Sequence, residues 1–168
     1  MRVHKLLLDL EAFLKASLAD YGMPDPMAAP GMLGLPQIFF GNVQDSPPDA
    51  LPGRFPFIVV RWSEGESEED PGGGISNEEE IALILGVYAP QGHAEAELVT
   101  AALLDHLRAA FMRSRSIPGE ENVFDLVLPL RAAKPDPEKK QHLYHIATLI
   151  TRWRHMTPRR PLQGVFDE

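Results

Sequence analysis

The stretch Ile81-Ala82-Leu83-Ile84-Leu85-Gly86-Val87-Tyr88 contains no charged side chain and is rich in branched residues, which reads as a strand. Alternate strand residues face opposite ways, so Ile81, Leu83, Leu85 and Val87 line one face and Ala82, Ile84, Gly86 and Tyr88 the other. A strand apolar on both faces has to be covered on both. The segment from Glu78 to Ala89 is therefore expected at the centre of a sheet.

The flanking sequence supplies the neighbours. Phe55 to Trp62 is a second β-branched and aromatic run, with Pro56 near its start where a missing N–H is tolerated. Between the two runs, residues 63–77 carry Glu64, Glu66, Glu68, Glu69 and Asp70 and then Pro71-Gly72-Gly73-Gly74, a composition that buries little and predicts a mobile hairpin loop. Asn122 to Leu130 and His142 to Met156 are two further strands, the last long enough to extend past the sheet, joined by a polar turn at Lys134 to Lys140. Apolar residues at Leu6, Leu7, Leu10, Phe13, Leu14, Leu18 and Tyr21 predict a helix over about residues 2–21, stopped by Gly22 and Pro24. Val99, Leu103, Leu107 and Phe111 predict a second helix from His93 to Arg113. Residues 22–54 are dense in Pro and Gly and read as an arm with one short strand at Gln37 to Phe40; residues 157–168 read as an extended tail.

Two helices among hairpin-linked strands predict an α+β fold, an antiparallel or mixed sheet with both helices on one face. With 168 residues, 44% of them hydrophobic, the chain is the length of one domain, spanning 1–168. The 24 acidic and 16 basic side chains leave a net charge of −8, which argues against gripping nucleic acid or an anionic membrane. Cysteine is absent, which excludes disulfides, a thiolate nucleophile and sulfur-ligated zinc. The N-terminal segment carries Asp9, Glu11 and Lys15 inside its apolar stretch and is not expected to be a signal peptide, and no apolar run approaches a membrane span.

The candidates for chemistry are weak. His142-x-x-His145 is the only close histidine pair, and residues three apart on a strand point to opposite faces, so no metal site is expected. His106, beside Ala102 and Ala110, reads as a helix-flank histidine with a hydrogen-bonded ring. The carboxylates from Glu64 to Asp70 have nothing apolar beside them to separate their pKa values for acid and base work. Glu78-Glu79-Glu80 reads as a charged strand entry. Gly72-Gly73-Gly74 lacks the Lys-Ser/Thr pair and the following helix of a phosphate loop, and no serine sits in a nucleophile elbow. No catalysis and no cofactor are expected.

Charge distribution says more. Residues 61–100 hold ten acids and one base, Arg61, whereas residues 131–161 hold eight bases and two acids. Separated poles of opposite sign favour head-to-tail docking between copies.

Pro56 to Arg61 followed by the acidic stretch, Ile81 to Tyr88 leading into a helix with leucines at four-residue steps, and the terminal strand Ile146 to Trp153 running into Pro158 together resemble the tail terminator or tail completion proteins of long-tailed bacteriophages. The resemblance covers about residues 55–160. It implies a small α+β subunit that assembles with itself as a homohexameric ring on the last ring of tail-tube protein. Such a ring stops tube polymerisation and meets the neck or connector protein at the head-tail junction of the virion, after assembly in the host cytoplasm. The long Pro- and Gly-rich segment and the extended acidic stretch depart from the family pattern. DNA passing through such a ring must not be held, so the acidic loop of Glu64, Glu66, Glu68, Glu69 and Asp70 is expected to face the lumen or the tube. Arg152, Trp153, Arg154, Arg159 and Arg160 are expected at a contact with a neighbouring subunit or an acidic partner. The alternatives are a neck or head completion protein of the connector and, from other classes, a small-ligand-binding bacterial α+β domain or an enzyme.

Overall fold

The computed structural model describes residues 2–41, 54–69, 71–118, 123–133 and 143–157. In chain order these form α1 (Arg2–Ser17), β1 (Met23–Pro24), β2 (Leu33–Gly34), β3 (Gln37–Phe40), β4 (Phe57–Glu69), β5 (Ile75–Tyr88), α2 (His93–Ser114), β6 (Ser116–Pro118), β7 (Val123–Ala133) and β8 (Tyr144–Thr157). The main sheet has six strands in the order β3-β4-β5-β8-β7-β6, and β1 and β2 form a separate two-stranded pair. Only β3 runs parallel to its neighbour; every other pairing in the main sheet is antiparallel. The fold is α+β with a mixed sheet, and β5 lies inside it with β4 and β8 on its two sides.

Both helices cover the same sheet face. Leu6, Leu10 and Leu14 of α1, with Leu18 just beyond it, are buried at four-residue steps; Leu103, Leu107 and Phe111 do the same on α2. They close over Ile58, Val60, Ile81, Leu83, Leu85, Val87 and Leu149. Each such side chain, once fully buried, contributes roughly 1.5–3 kcal/mol relative to exposure. Phe13 stacks on Phe111 at 5.2 Å between ring centroids, and Phe111 meets Trp153 edge-on at 5.6 Å, so α1, α2 and β8 share one aromatic chain of contacts. Thr151 makes this corner specific: its Oγ1 donates to the Ile81 carbonyl at 2.9 Å and accepts from Trp153 Nε1 at 2.8 Å. Two buried polar groups are satisfied there by one hydroxyl.

The second helix ends where Arg115 takes a left-handed conformation, φ 53°, and its N–H donates to the Phe111 carbonyl at 2.8 Å. That turn aims the chain straight into β6. On the face away from the helices, Phe55, Phe57 and Val59 form a smaller buried cluster with Phe39, Ile84, Tyr88 and Tyr144. Gly86 makes room for it, because a Cβ at that position would fall inside the Phe57 ring.

Several expectations are corrected. The first helix stops at Ser17; Leu18 and Tyr21 continue its stripe through turns. The expected acidic loop over 63–77 is mostly strand: β4 runs to Glu69 and β5 starts at Ile75. Glutamate and glycine have low strand preference, but pairing with β5, itself held by β8, overrides it. The arm over 22–54 carries β1 and β2 as well as the expected β3, and its Met23 is buried in the core; residues 42–53 lie outside the described residues, as does the tail beyond Thr157.

Replacing Gly86 by alanine should force Phe57 out of its place and destabilise the protein by about 1–3 kcal/mol. Urea unfolding of the two proteins measures this, and an unchanged midpoint would show that the cluster on the face away from the helices yields easily.

Candidate functional site

Along β4 the environment changes abruptly. Residues 57–60 are buried and residues 61–69 exposed, so the second half of the strand leaves the helix-covered core. It carries β5 with it as a ribbon, and β8 follows on the far side of β5 up to the pairing of Thr157 with Ile75. A bulge between Trp62 and Glu64 resets the alternation. Trp62 lies opposite Ile81 on the helix side, whereas Glu64, Glu66 and Glu68 lie opposite Glu80, Glu78 and Ser76 on the other face.

The two faces of the ribbon differ in chemistry. On the helix side Trp62 Nε1 donates to Glu79 Oε2 at 2.8 Å, Ser67 Oγ donates to Asn77 Oδ1 at 2.7 Å, and Gly65 leaves space that a Cβ would take from the Glu79 carboxylate. These cross-strand bonds hold the register. On the outer face, charges stand in columns: Glu64, Glu66 and Glu68 on β4, Glu78 and Glu80 on β5, Arg152 and Arg154 on β8. Glu78 is the centre of the neutralised part. Its Oε2 accepts from Arg154 Nη2 at 3.1 Å, and its Oε1 pairs with Arg152. Among the described residues no cation pairs with Glu64, Glu66 or Glu68, so the outer edge column keeps its negative charge.

The residues expected to be functional separate accordingly. Glu64, Glu66, Glu68 and Glu69 are brought together, on an edge strand instead of a loop; Asp70 lies outside the described residues. Arg152 and Arg154 are partly exposed but already engaged by Glu78 within the chain. Trp153 is corrected: at 1% exposure it is a core residue against Phe111 and cannot reach a partner. Arg159 and Arg160 lie outside the described residues. The strand period explains the tryptophan, since two outward arginines at i and i+2 put the residue between them on the inner face. Sequence reasoning missed β6 and with it Arg115, exposed just before that strand with its Nη1 donating to Met112 Sδ of α2 at 3.6 Å. The only sequence signal was the short run Ser116-Ile117-Pro118 after the helix.

Packing places His93, His106 and His145. His106 Nε2 is 2.7 Å from the Ser17 carbonyl, and its ring lies against Tyr21, as a helix-flank histidine should. His145 on β8 lies 5.7 Å from His93 at the start of α2, and burial, with a smaller contribution from the His93 charge, pushes its pKa below the ordinary 6.5. His142 lies outside the described residues. Among the described residues no group of three or more His, Asp or Glu is arranged to hold a metal ion, and no helix is long and apolar enough to cross a membrane.

No protein-family model matches the chain, and no curated protein matches it significantly.

Two expectations follow for these charges. Replacing Glu78 by glutamine leaves Arg152 and Arg154 side by side without their carboxylate, and should cost about 1 kcal/mol, since these groups are partly solvated. The loss should shrink in high salt, and urea unfolding at two ionic strengths measures it. His145, with its folded pKa below the unfolded value of 6.5, favours folding above that pH; its contribution is lost as the pH falls through the folded pKa. Thermal unfolding from pH 7.5 to about 5 should therefore show a decline that is shallower in a His145→Gln variant.

Proposed function

We propose that this chain is a structural virion protein: the ring subunit that caps the tail tube of a long-tailed bacteriophage, ends its polymerisation and forms the tail side of the joint with the head. The observation that carries the reading is the long open edge of β4, whose residues 61–69 have β5 on one side and no described strand on the other. An exposed strand edge of this length invites another chain to pair with it. It supports a subunit that completes its surface by assembly, and it fits poorly with a ligand-binding domain or an enzyme that works as a separate unit. The sheet with both helices on one face, in the order of elements noted in the sequence, is the framework the family resemblance implies.

Within such a ring, the net charge of −8 keeps the DNA passage free of phosphate-gripping surface, so the duplex slides through without specific binding. Arg152 and Arg154, partly exposed beside Glu78, offer donors to an acidic surface of the tail-tube protein or the neck protein. Formation of the joint needs no catalytic step, only matched surfaces at the two ends of the ring.

Negative-stain imaging and solution mass of the purified protein, alone and mixed with tubes of its tail-tube protein, test the reading. Rings with a central hole, or tubes whose growth stops at a capped end, are expected. A compact monomer or dimer that leaves tube growth unchanged would overturn it.

A further inference from the structure

The open edge of β4 has a hydrogen-bonding row and a charged row, made of different residues. The Gln37 N–H donates to the Pro56 carbonyl at 2.9 Å, and Gln37 lies beside Phe57 in a parallel pairing. The backbone groups of Ile58 and Val60 therefore turn to β3, and those of Phe57, Val59 and Arg61 turn to β5. The bulge after Trp62 shifts this alternation by one residue. Beyond it Glu64, Glu66 and Glu68 bond to β5, whereas Gly65, Ser67 and Glu69 aim their backbone N–H and C=O groups at the open side. The Ala89 N–H, 2.8 Å from the Leu143 carbonyl, gives the same rows when counted back along β5. Residues 65, 67 and 69 have their side chains on the helix side, and the three glutamates have theirs on the other face. An antiparallel strand added here must place its own bonding residues in the helix-side row and the residues between them beside the carboxylates.

One stretch of this chain fits both rows. Of the segments outside the described residues, 42–53 and 119–122 carry acids and no cation, and 134–142 is tied at both ends between β7 and β8. Residues 158–168 follow the end of β8 and read Pro158-Arg159-Arg160-Pro161-Leu162-Gln163, with Asp167-Glu168 further on. Charge selects the direction. Run antiparallel to β4, this stretch sets its arginines at the Glu68 end and its acids toward the exposed Arg61; run parallel, it opposes like charges at both ends. Proline selects the row. Pro161 has no N–H to give and belongs in the charged row, where its nitrogen points away from β4. Arg159, two residues earlier, then shares that row, and Leu162 takes the bonding row. With Pro161 opposite Glu66, Arg159 stands opposite Glu68, Leu162 opposite the bare Gly65, and Gln163 opposite Glu64. Pro158 falls at the first position of the added strand, where a missing donor is tolerated.

The same copy cannot supply this strand. Thr157 stands level with Ile75 and Glu69, and the position beside the β4 edge is three strand spacings away, about 14 Å. About four extended residues span that distance. They include both arginines, and their path crosses the turn between β4 and β5, a crossing that connections avoid. We infer that the open edge of β4 is the docking site for residues 158–168 of a second copy of this chain, added as an antiparallel strand with Arg159 beside Glu66 and Glu68. The inference rests on the reading of this edge as an assembly surface and names its occupant.

Charge exchange, a pair of proline substitutions and cross-linking of the full chain test it. A Glu64→Lys/Glu66→Lys/Glu68→Lys variant and an Arg159→Glu/Arg160→Glu variant should each self-associate roughly tenfold or more weakly by analytical ultracentrifugation, while circular dichroism checks that both remain folded. Mixing the two restores opposite charges at every joint and should restore assembly with alternating subunits. Leu162→Pro removes a donor from the bonding row and should weaken association to a similar degree, whereas Gln163→Pro, in the charged row, should leave it unchanged. The chain has no cysteine of its own, so a Glu64→Cys protein mixed with a Gln163→Cys protein should oxidise to a species joining one of each, and the double variant to a ladder of trimers and larger species. Association of both charge variants at wild-type strength overturns the docking and leaves the ring reading standing; so does a double variant whose disulfide closes within one chain. A ladder that stops at dimers supports the docking and removes the ring. Rescue on mixing, together with failure to cap tubes, supports the docking and removes the tail reading. A wild-type protein that shows no self-association, with or without tubes, overturns both.

Discussion

Everything in this molecule hangs on β5 being paired on both sides, with β8 along its whole length and with β4 from Ile75 to Gly86. Its second half, Ile81 to Val87, is apolar on both faces and draws the helices onto one of them. Its first half, Ile75 to Glu80, has no comparable apolar content, yet it is extended between β4 and β8 in the same register. Strand pairing is cooperative along the ladder: once the apolar halves are locked, the next backbone groups are already aligned, and leaving them unpaired gains little entropy. The core thus sets the register of a ribbon that contributes little to the core.

The ribbon keeps its shape through polar devices that work only because that register is fixed. Trp62 reaches Glu79, Ser67 reaches Asn77, and Gly65 clears the space between them. On the opposite face the pairing of Glu78 with Arg152 and Arg154 neutralises the middle of the sheet. A slip of one residue would turn every one of these groups to the wrong side. Each exposed pair contributes at most about 1 kcal/mol, so their value is in fixing which groups lie on the edge more than in raw stability.

Much of this was legible in the sequence. The central strand and both helices follow from periodicity and from two-sided apolarity, and the order of elements gives helices on one face of a sheet either antiparallel or mixed; the parallel β3 decides for mixed. The ribbon did not, because Glu-Gly-Glu-Ser-Glu-Glu has a loop's composition, and only its period of two, with Glu64, Glu66 and Glu68 at alternate positions, hints at a strand. The excess length of the last strand was the stronger clue, since β8 extends past the core only if β5 accompanies it. Trp153 stands between two arginines and so reads as part of a charged surface, while alternation turns it inward. β6 has three residues and depends on the left-handed turn at Arg115, a tertiary feature with no glycine to announce it.

The acidic column on the β4 edge has two possible physical uses, and the register discriminates between them. As a wall beside DNA, carboxylates need only point into the passage, and their height relative to the far edge of the sheet is immaterial. As half of a joint between two sheet edges, they must stand level with cations on the opposite edge, beside a step of matching shape. Here the cation level with the column, Arg115, shares the helix-side row of Gly65, whereas Glu64, Glu66 and Glu68 point to the other face, where the opposite edge offers Asp125 at the level of Glu66. The carboxylates would meet their own kind if two β4 edges came together. A strand edge that would otherwise pair with itself is thereby kept from doing so.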